Sequence, residues 1–137
     1  MSKTLSSTLG ALAALAVLCG ALLASEDYGT LLKFDAGEVY YQAPVTEQDA
    51  NKLGEFLLEN DFFDSTPKTV QLLKKDGQLQ VRFVVVPEAA HQIETQKVFR
   101  LLGGFISQLV FDSQAIEVHI TDAKLTTLYA LSIPANT

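Results

Sequence analysis

The stretch from Lys68 to Pro87, KTVQLLKKDGQLQVRFVVVP, constrains the fold more than any other part of the chain. Asp76-Gly77 is the kind of dipeptide that a two-residue hairpin turn requires, because its central residues must tolerate a positive φ. Beyond the turn, Leu79, Val81, Phe83 and Val85 alternate with Gln78, Gln80, Arg82 and Val84. A period of two sends the first set into a core and leaves the second set largely in water. A sheet with one apolar face needs a second layer to cover it, and the flanking segments have the pattern of that layer.

Upstream, LLKF, the turn Asp35-Ala36-Gly37 and EVYYQ read as a first hairpin. Gly37 is expected to supply the positive φ of its turn. Val39 and Tyr41 point one way, and Glu38, Tyr40 and Gln42 the other. Pro44 closes the strand, and Thr46 is placed to cap a helix by accepting from the amide of Asp49, with Glu47 and Asp49 in the positive first turn. Ala50, Leu53, Phe56, Leu57 and Asn60 recur at spacings of three and four, which gives one buried stripe. A second helix is expected from about Ala89 to Phe111, with Val98, Leu101, Leu102, Phe105, Ile106 and Leu109 facing inward. Gly103-Gly104 interrupts it at a cost of about 1 kcal/mol per glycine against alanine. Close approach of the helix to its neighbours is one reason for the pair, and a glycine-lined ligand cleft is the other. AIEVHITD then turns Ile116, Val118 and Ile120 inward and Glu117, His119 and Thr121 outward, and after Asp122-Ala123-Lys124 comes a last strand, LTTLYALSI.

The expected fold is therefore α+β, ββαββαββ: a single antiparallel-dominated sheet of about six strands with two helices packed on one face. The expected core holds Leu53, Leu57, Val81, Phe83, Leu101, Phe105 and Val118.

The N-terminus carries a different signal. Leu9 to Ala24 contains no charged residue and follows Lys3, the pattern of an export or anchor segment. Residues 1–24 are expected to be a cleaved signal peptide or a retained membrane anchor, residues 5–24 being long enough to span. Residues 25–30 form a tether and residues 31–137 the compact domain. Cys19 lies inside the apolar run, where the bulky Leu18 before it argues against acylation and for a small apolar packing role.

Without residues 1–24 the chain keeps nine basic against sixteen acidic residues, a net of −7. That charge repels nucleic acid and anionic lipid, and no basic stripe overrides it. His91 and His119 are too few for a metal site in a domain without cysteine, so no metal and no cofactor is expected. Glu59, Asp61 and Asp64 around Phe62 and Phe63 lack calcium-loop spacing and read as a solvated helix end pinned by its aromatics. The chain has no nucleophile elbow, Walker-type loop or dinucleotide fingerprint. Glu117, His119 and Asp122 are the nearest approach to acid–base equipment.

Taken together, GEVYYQAPVTEQDANKLGEFLLENDFF, KTVQLLKKDGQLQVRFVVV and VFDSQAIEVHITDAKLTTL resemble a bacterial extracytoplasmic α+β module found next to membrane segments. The resemblance covers most of Leu31 to Leu128 and implies a compact unit on the outer side of a membrane, with no activity attached to it. The expected role is a non-catalytic binding or assembly module, either membrane-anchored or secreted to the periplasm or beyond. A partner protein would meet the helix-free sheet face through Tyr40, Gln42, Gln80, Arg82, Val84, Glu117, His119 and Thr121. The alternative is a small-ligand-binding protein or hydrolase centred on Glu117, His119 and Asp122, or on a cleft at Gly103-Gly104.

Overall fold

The computed structural model describes residues 28–135, so the expectations for residues 1–24 and for Cys19 lie outside the described residues. Six strands form one sheet in chain order: β1 (Thr30–Phe34), β2 (Gly37–Tyr41), β3 (Lys68–Lys75), β4 (Gln78–Val84), β5 (Ile116–Thr121) and β6 (Thr127–Ile133). Three helices accompany them: α1 (Glu47–Glu59), α2 (Pro87–Ala90) and α3 (Ile93–Val110). The fold is α+β as expected, but the sheet is mixed and not antiparallel-dominated. The pairs β1–β2, β3–β4 and β5–β6 are antiparallel, whereas β2–β3 and β4–β5 are parallel. The reason is that each helical crossover carries the chain back to the edge of the sheet where the preceding strand began, so the next strand runs in the same direction as the last.

Both long helices cover the same sheet face. Leu53 and Leu57 of α1, Leu102 and Ile106 of α3, and Val70, Phe83 and Val118 of the sheet belong to one core. A topological consequence follows from the strand directions. Because β3–β4 is antiparallel, the two parallel pairs run in opposite directions, yet both crossovers step the same way across the sheet and lie on the same face. The two crossovers are therefore of opposite hand, and one of them departs from the nearly universal right-handed rule.

Local chemistry explains the element ends. Thr46 Oγ1 accepts from the Asp49 amide at 3.1 Å and Asp49 Oδ2 accepts from the Thr46 amide at 3.3 Å, which completes the capping box at α1. Asp76 and Gly77 take φ of 53° and 78° between the paired residues Lys75 and Gln78, the expected hairpin turn. The first hairpin differs from expectation. Its positive φ belongs to Asp35, at 56°, and Gly37 is already in β2, where a Cβ would collide with the Phe63 ring. The expected second helix is also two helices. Pro87 opens the short α2, His91 follows its last residue, and Gln92 stands at the N-cap position of α3 without a side-chain capping bond.

The inward face of α3 is rotated from the expected stripe. Phe99, Leu102, Ile106 and Val110 are buried, whereas Leu101 is 46% and Leu109 56% exposed, and Phe105 is half-buried. Gly103 faces the sheet so closely that a Cβ there would lie 2.6 Å from Val118 Cγ2. Close packing, one of the two readings of the glycine pair, thus accounts for Gly103.

Phe62, Phe83 and Phe99 meet at the centre of the core, with ring centroids 4.9 to 6.4 Å apart. Truncating Phe83 to alanine is expected to cost about 3 to 5 kcal/mol in chemical denaturation, the range for a buried aromatic that leaves a cavity. Beside this cluster Lys68 is buried, with Nζ 2.7 Å from Asp64 Oδ1 and 5.9 Å from the Phe62 ring centroid. Burial alone would raise the Asp64 carboxyl, but the hydrogen bonds from Lys68 and the Thr66 amide outweigh it and hold the carboxyl below its ordinary value. A depressed carboxyl stabilises the fold above its unfolded pKa, near 4 for aspartate, and that stability is lost as pH falls through the folded value. Denaturation midpoints measured at successively lower pH should fall in this acid range, and Asp64→Asn should flatten part of the decline.

Candidate functional site

On the helix-free face, the alternation of β4 and β5 places Gln80, Arg82, Glu117 and His119 side by side, because Gln80 pairs with Glu117 and Arg82 with His119 in parallel register. Their side chains form one network. Gln80 Nε2 donates to Glu117 Oε1 at 3.1 Å, and Arg82 Nη1 donates to Gln80 Oε1 at 2.7 Å. The same Nη1 lies 3.3 Å from His119 Nδ1, and Nη2 donates to the Leu125 carbonyl at 2.7 Å. His119 Nε2 is 2.8 Å from Glu117 Oε1, and Thr127 Oγ1 is 2.8 Å from Nδ1. A guanidinium only donates, so these partners assign Nδ1 as the acceptor and place the ring hydrogen on Nε2, directed at Glu117.

Electrostatically, the network is built around a cation with no carboxylate in direct contact. Burial draws the Arg82 guanidinium below its ordinary pKa, and its Nε is buried without a hydrogen-bond partner. Glu117 reaches Arg82 only through Gln80 and His119. Neutral acceptors thus hold Arg82 in place, and its charge is offset one bond further away.

Three of the expected contact residues are much less open than the alternation suggested. Gln80 is 6%, Val84 5% and Thr121 0% exposed. Gln80 is engaged with Glu117 and Arg82, Thr121 Oγ1 donates to the Phe83 and Asp122 carbonyls, and Val84 is covered by Tyr28. Tyr28 packs with Leu125 against Val84, its carbonyl accepts from Gln71 Nε2 at 2.9 Å, and its ring meets Tyr40 edge-on at 5.8 Å between centroids. Burial, then Glu38 and Tyr28, raise the Tyr40 hydroxyl above its ordinary pKa. Tyr40 and Gln42 therefore lie on β2 and just after it, while the network lies across β4 and β5. No sequence pattern revealed Tyr28, because a residue ahead of the first strand carries no periodicity.

Two further residues missed in the sequence are Ala130 and Ser132 of β6. They pair with His119 and Glu117 and are exposed, so they form the wet margin of the network. Their alternation was present in LTTLYALSI but pointed to no chemistry.

Asp122 does not join Glu117 and His119. Its Oδ1 accepts from the amides of Lys124 at 2.9 Å and Thr126 at 3.0 Å and so builds the β5–β6 turn. Among the described residues no group of three or more His, Cys, Asp or Glu side chains is placed to hold a metal ion. One cleft runs along α3 and another lies between α1 and the end of α3, and neither is lined by Glu117 or His119.

The burial of Gln80 alters what its removal should do. Gln80→Ala would strip one partner each from Glu117 and Arg82 in a half-buried setting and is expected to cost about 1 to 3 kcal/mol in denaturant melts. Ser132→Ala, on the exposed margin of the same face, should stay within about 0.5 kcal/mol.

No curated protein and no solved structure matches the chain. A model of the AF_1994_N family, described as a family N-terminal domain, matches residues 32–132. That span runs from within β1 to within β6 and takes in both crossovers, more than half of the sequence, and the chain belongs to this family.

Proposed function

We propose that the protein is a non-catalytic binding or assembly module whose contact surface is the helix-free face of the sheet, centred on β4 to β6. The observation that supports this most is the state of the polar groups there. Gln80, Arg82, Glu117 and His119 are all held by neighbouring side chains or backbone on rigid strands, and the candidate third member of an acid–base set, Asp122, is occupied by a turn. A general base or nucleophile needs a reacting atom within reach and a cleft that excludes water. A preorganised polar array with exposed small residues on its margin instead suits recognition of a partner protein, because little conformational entropy remains to be lost on contact.

The proposed setting is the extracytoplasmic side of a bacterial-type membrane, reached through Leu9 to Ala24 as a retained anchor or a cleaved signal. This part of the proposal rests on the sequence. Among the described residues no helix is long and apolar enough to cross a membrane.

The test is photo-crosslinking of the full-length chain in native membranes from a probe at Ser132, with Ala130→Arg as the blocking variant. Ala130 is exposed, so the arginine leaves the fold intact and covers the face. A discrete protein adduct that disappears with Ala130→Arg is the expected result. Adducts unchanged by Ala130→Arg would remove this face as the contact surface. Turnover of any ester, amide or phosphate substrate that is abolished by His119→Ala in a folded protein would replace binding with catalysis.

A further inference from the structure

Two side chains, Gln80 and His119, bridge the Arg82 cation to the Glu117 carboxylate, and only one of them can take up a proton. The Gln80 amide keeps the same donor and acceptor at every pH. The imidazole does not. As a neutral ring it accepts at Nδ1 and donates from Nε2, which is the pattern its neighbours require; as an imidazolium it donates from both nitrogens. A hydrogen on Nδ1 suits Thr127 Oγ1, 2.8 Å away, because a hydroxyl can turn to accept, and it leaves the Nε2 bond to Glu117 in place. It does not suit Arg82, whose Nη1 lies 3.3 Å from the same nitrogen, cannot accept, and would face a second positive charge.

Arg82 is weakly secured against that change. Its other bonds run to Gln80 Oε1 and the Leu125 carbonyl, both neutral, and its Nε is buried without a partner. The charged groups that meet the His119 ring are Arg82 from β4 and Glu117 from its own strand, while β6 presents Thr127 and Ala130, which carry no charge. Glu117 favours a charged ring and Arg82 opposes it, so the two cannot both be satisfied once the second proton is on. The His119 side chain is 12% exposed, which leaves the ring open to protons from water.

We infer that a second proton on His119 acts as a release: it strengthens the pair with Glu117, breaks the contact with Arg82 and frees the guanidinium from the network, loosening the face between β4 and β6. One consequence rests on the reading of this face as a contact surface, namely that acidification weakens partner binding. The release itself needs no partner.

The test is a titration of the full-length chain in detergent micelles, following ¹⁵N signals of the His119 ring and the Arg82 guanidinium from about pH 8 to about pH 5, the interval in which histidine changes charge. Held in the network, Arg82 should give separate Nη1 and Nη2 signals at the upper end, and these should merge with the midpoint of the His119 ring. His119→Gln, which takes up no proton, should abolish the Arg82 transition. His91→Gln should preserve it, because His91 meets Tyr129 at 5.9 Å against the main core. Separate Arg82 signals that persist through the His119 transition, a ring that keeps one charge state over the whole interval, or an Arg82 transition that survives His119→Gln would overturn the inference. The parent titration decides alone where the His119 variant does not fold. In parallel, the photo-crosslinked adduct from Ser132 should be lost between about pH 7.5 and about pH 5.5 with the same midpoint. An adduct undiminished at the lower value would overturn the regulatory consequence. Absence of any adduct at the higher value would sink the contact-surface reading alone, with the spectra still deciding the release.

Discussion

The structure depends on the contact of Phe62 and Phe63 with the centre of the sheet. Phe62 meets both Phe83 of β4 and Phe99 of α3, and Phe63 lies against Gly37 of β2 and stacks on Phe34 of β1 at 6.1 Å. These two adjacent residues end the first crossover, and through them it is joined to the central strand and to the helix of the second crossover. Buried aromatics each remove a large apolar area from water and fix ring geometry as well. The pair therefore sets where α1 ends relative to β3 and holds together two crossovers of opposite hand, an arrangement that strand twist alone does not favour. Lys68, the first residue of β3, is buried against the same Phe62 ring, with Asp64 supplying its counter-charge.

With all helical cover on one side, the other face of the sheet is left to polar chemistry. It is not left simply to water. Parallel pairing of β4 with β5 brings Gln80 opposite Glu117 and Arg82 opposite His119, and the side chains satisfy one another across the strands. Had that pair been antiparallel, the same residues would have been in a different register and the network would not form. The topology that departed from expectation is thus also what assembles the candidate site. Tyr28 then closes the face between the network and Tyr40, so the accessible part shifts toward Ala130 and Ser132 on the edge strand β6.

Much of this was legible in the sequence, and the reasons are physical. The Asp76-Gly77 turn, the Thr46 cap and the alternation of β4 and β5 are local effects acting over a few residues, so the six strands, the first helix and the faces of β2, β4 and β5 could be read directly. Parallel pairing depends on where a crossover returns, which no local pattern encodes. The error on α3 has a similar origin. Val98, Leu101, Phe105 and Leu109 are as apolar and as regularly spaced as Leu102 and Ile106, and periodicity cannot say which of two adjoining apolar stripes meets the sheet. In the candidate site, Arg82, Glu117 and His119 were identified as neighbours on one face, but the burial of Gln80, Thr121 and Val84 was not, because it comes from contacts between strands and, at Val84, from Tyr28 and Leu125 in segments without a pattern. Asp122 was grouped with His119 by proximity in sequence, whereas an aspartate two residues before a turn amide is commonly engaged in that turn.

The helix-free face carries a single hydrogen-bond network with His119 as its joint. Long-range ¹⁵N–¹H correlation spectra of His119 near neutral pH test this most directly. The predicted result is one tautomer with the hydrogen on Nε2 and Nδ1 accepting, as the positions of Arg82 and Glu117 require. A hydrogen on Nδ1, or the averaged shifts of a ring exchanging freely between tautomers, would contradict it.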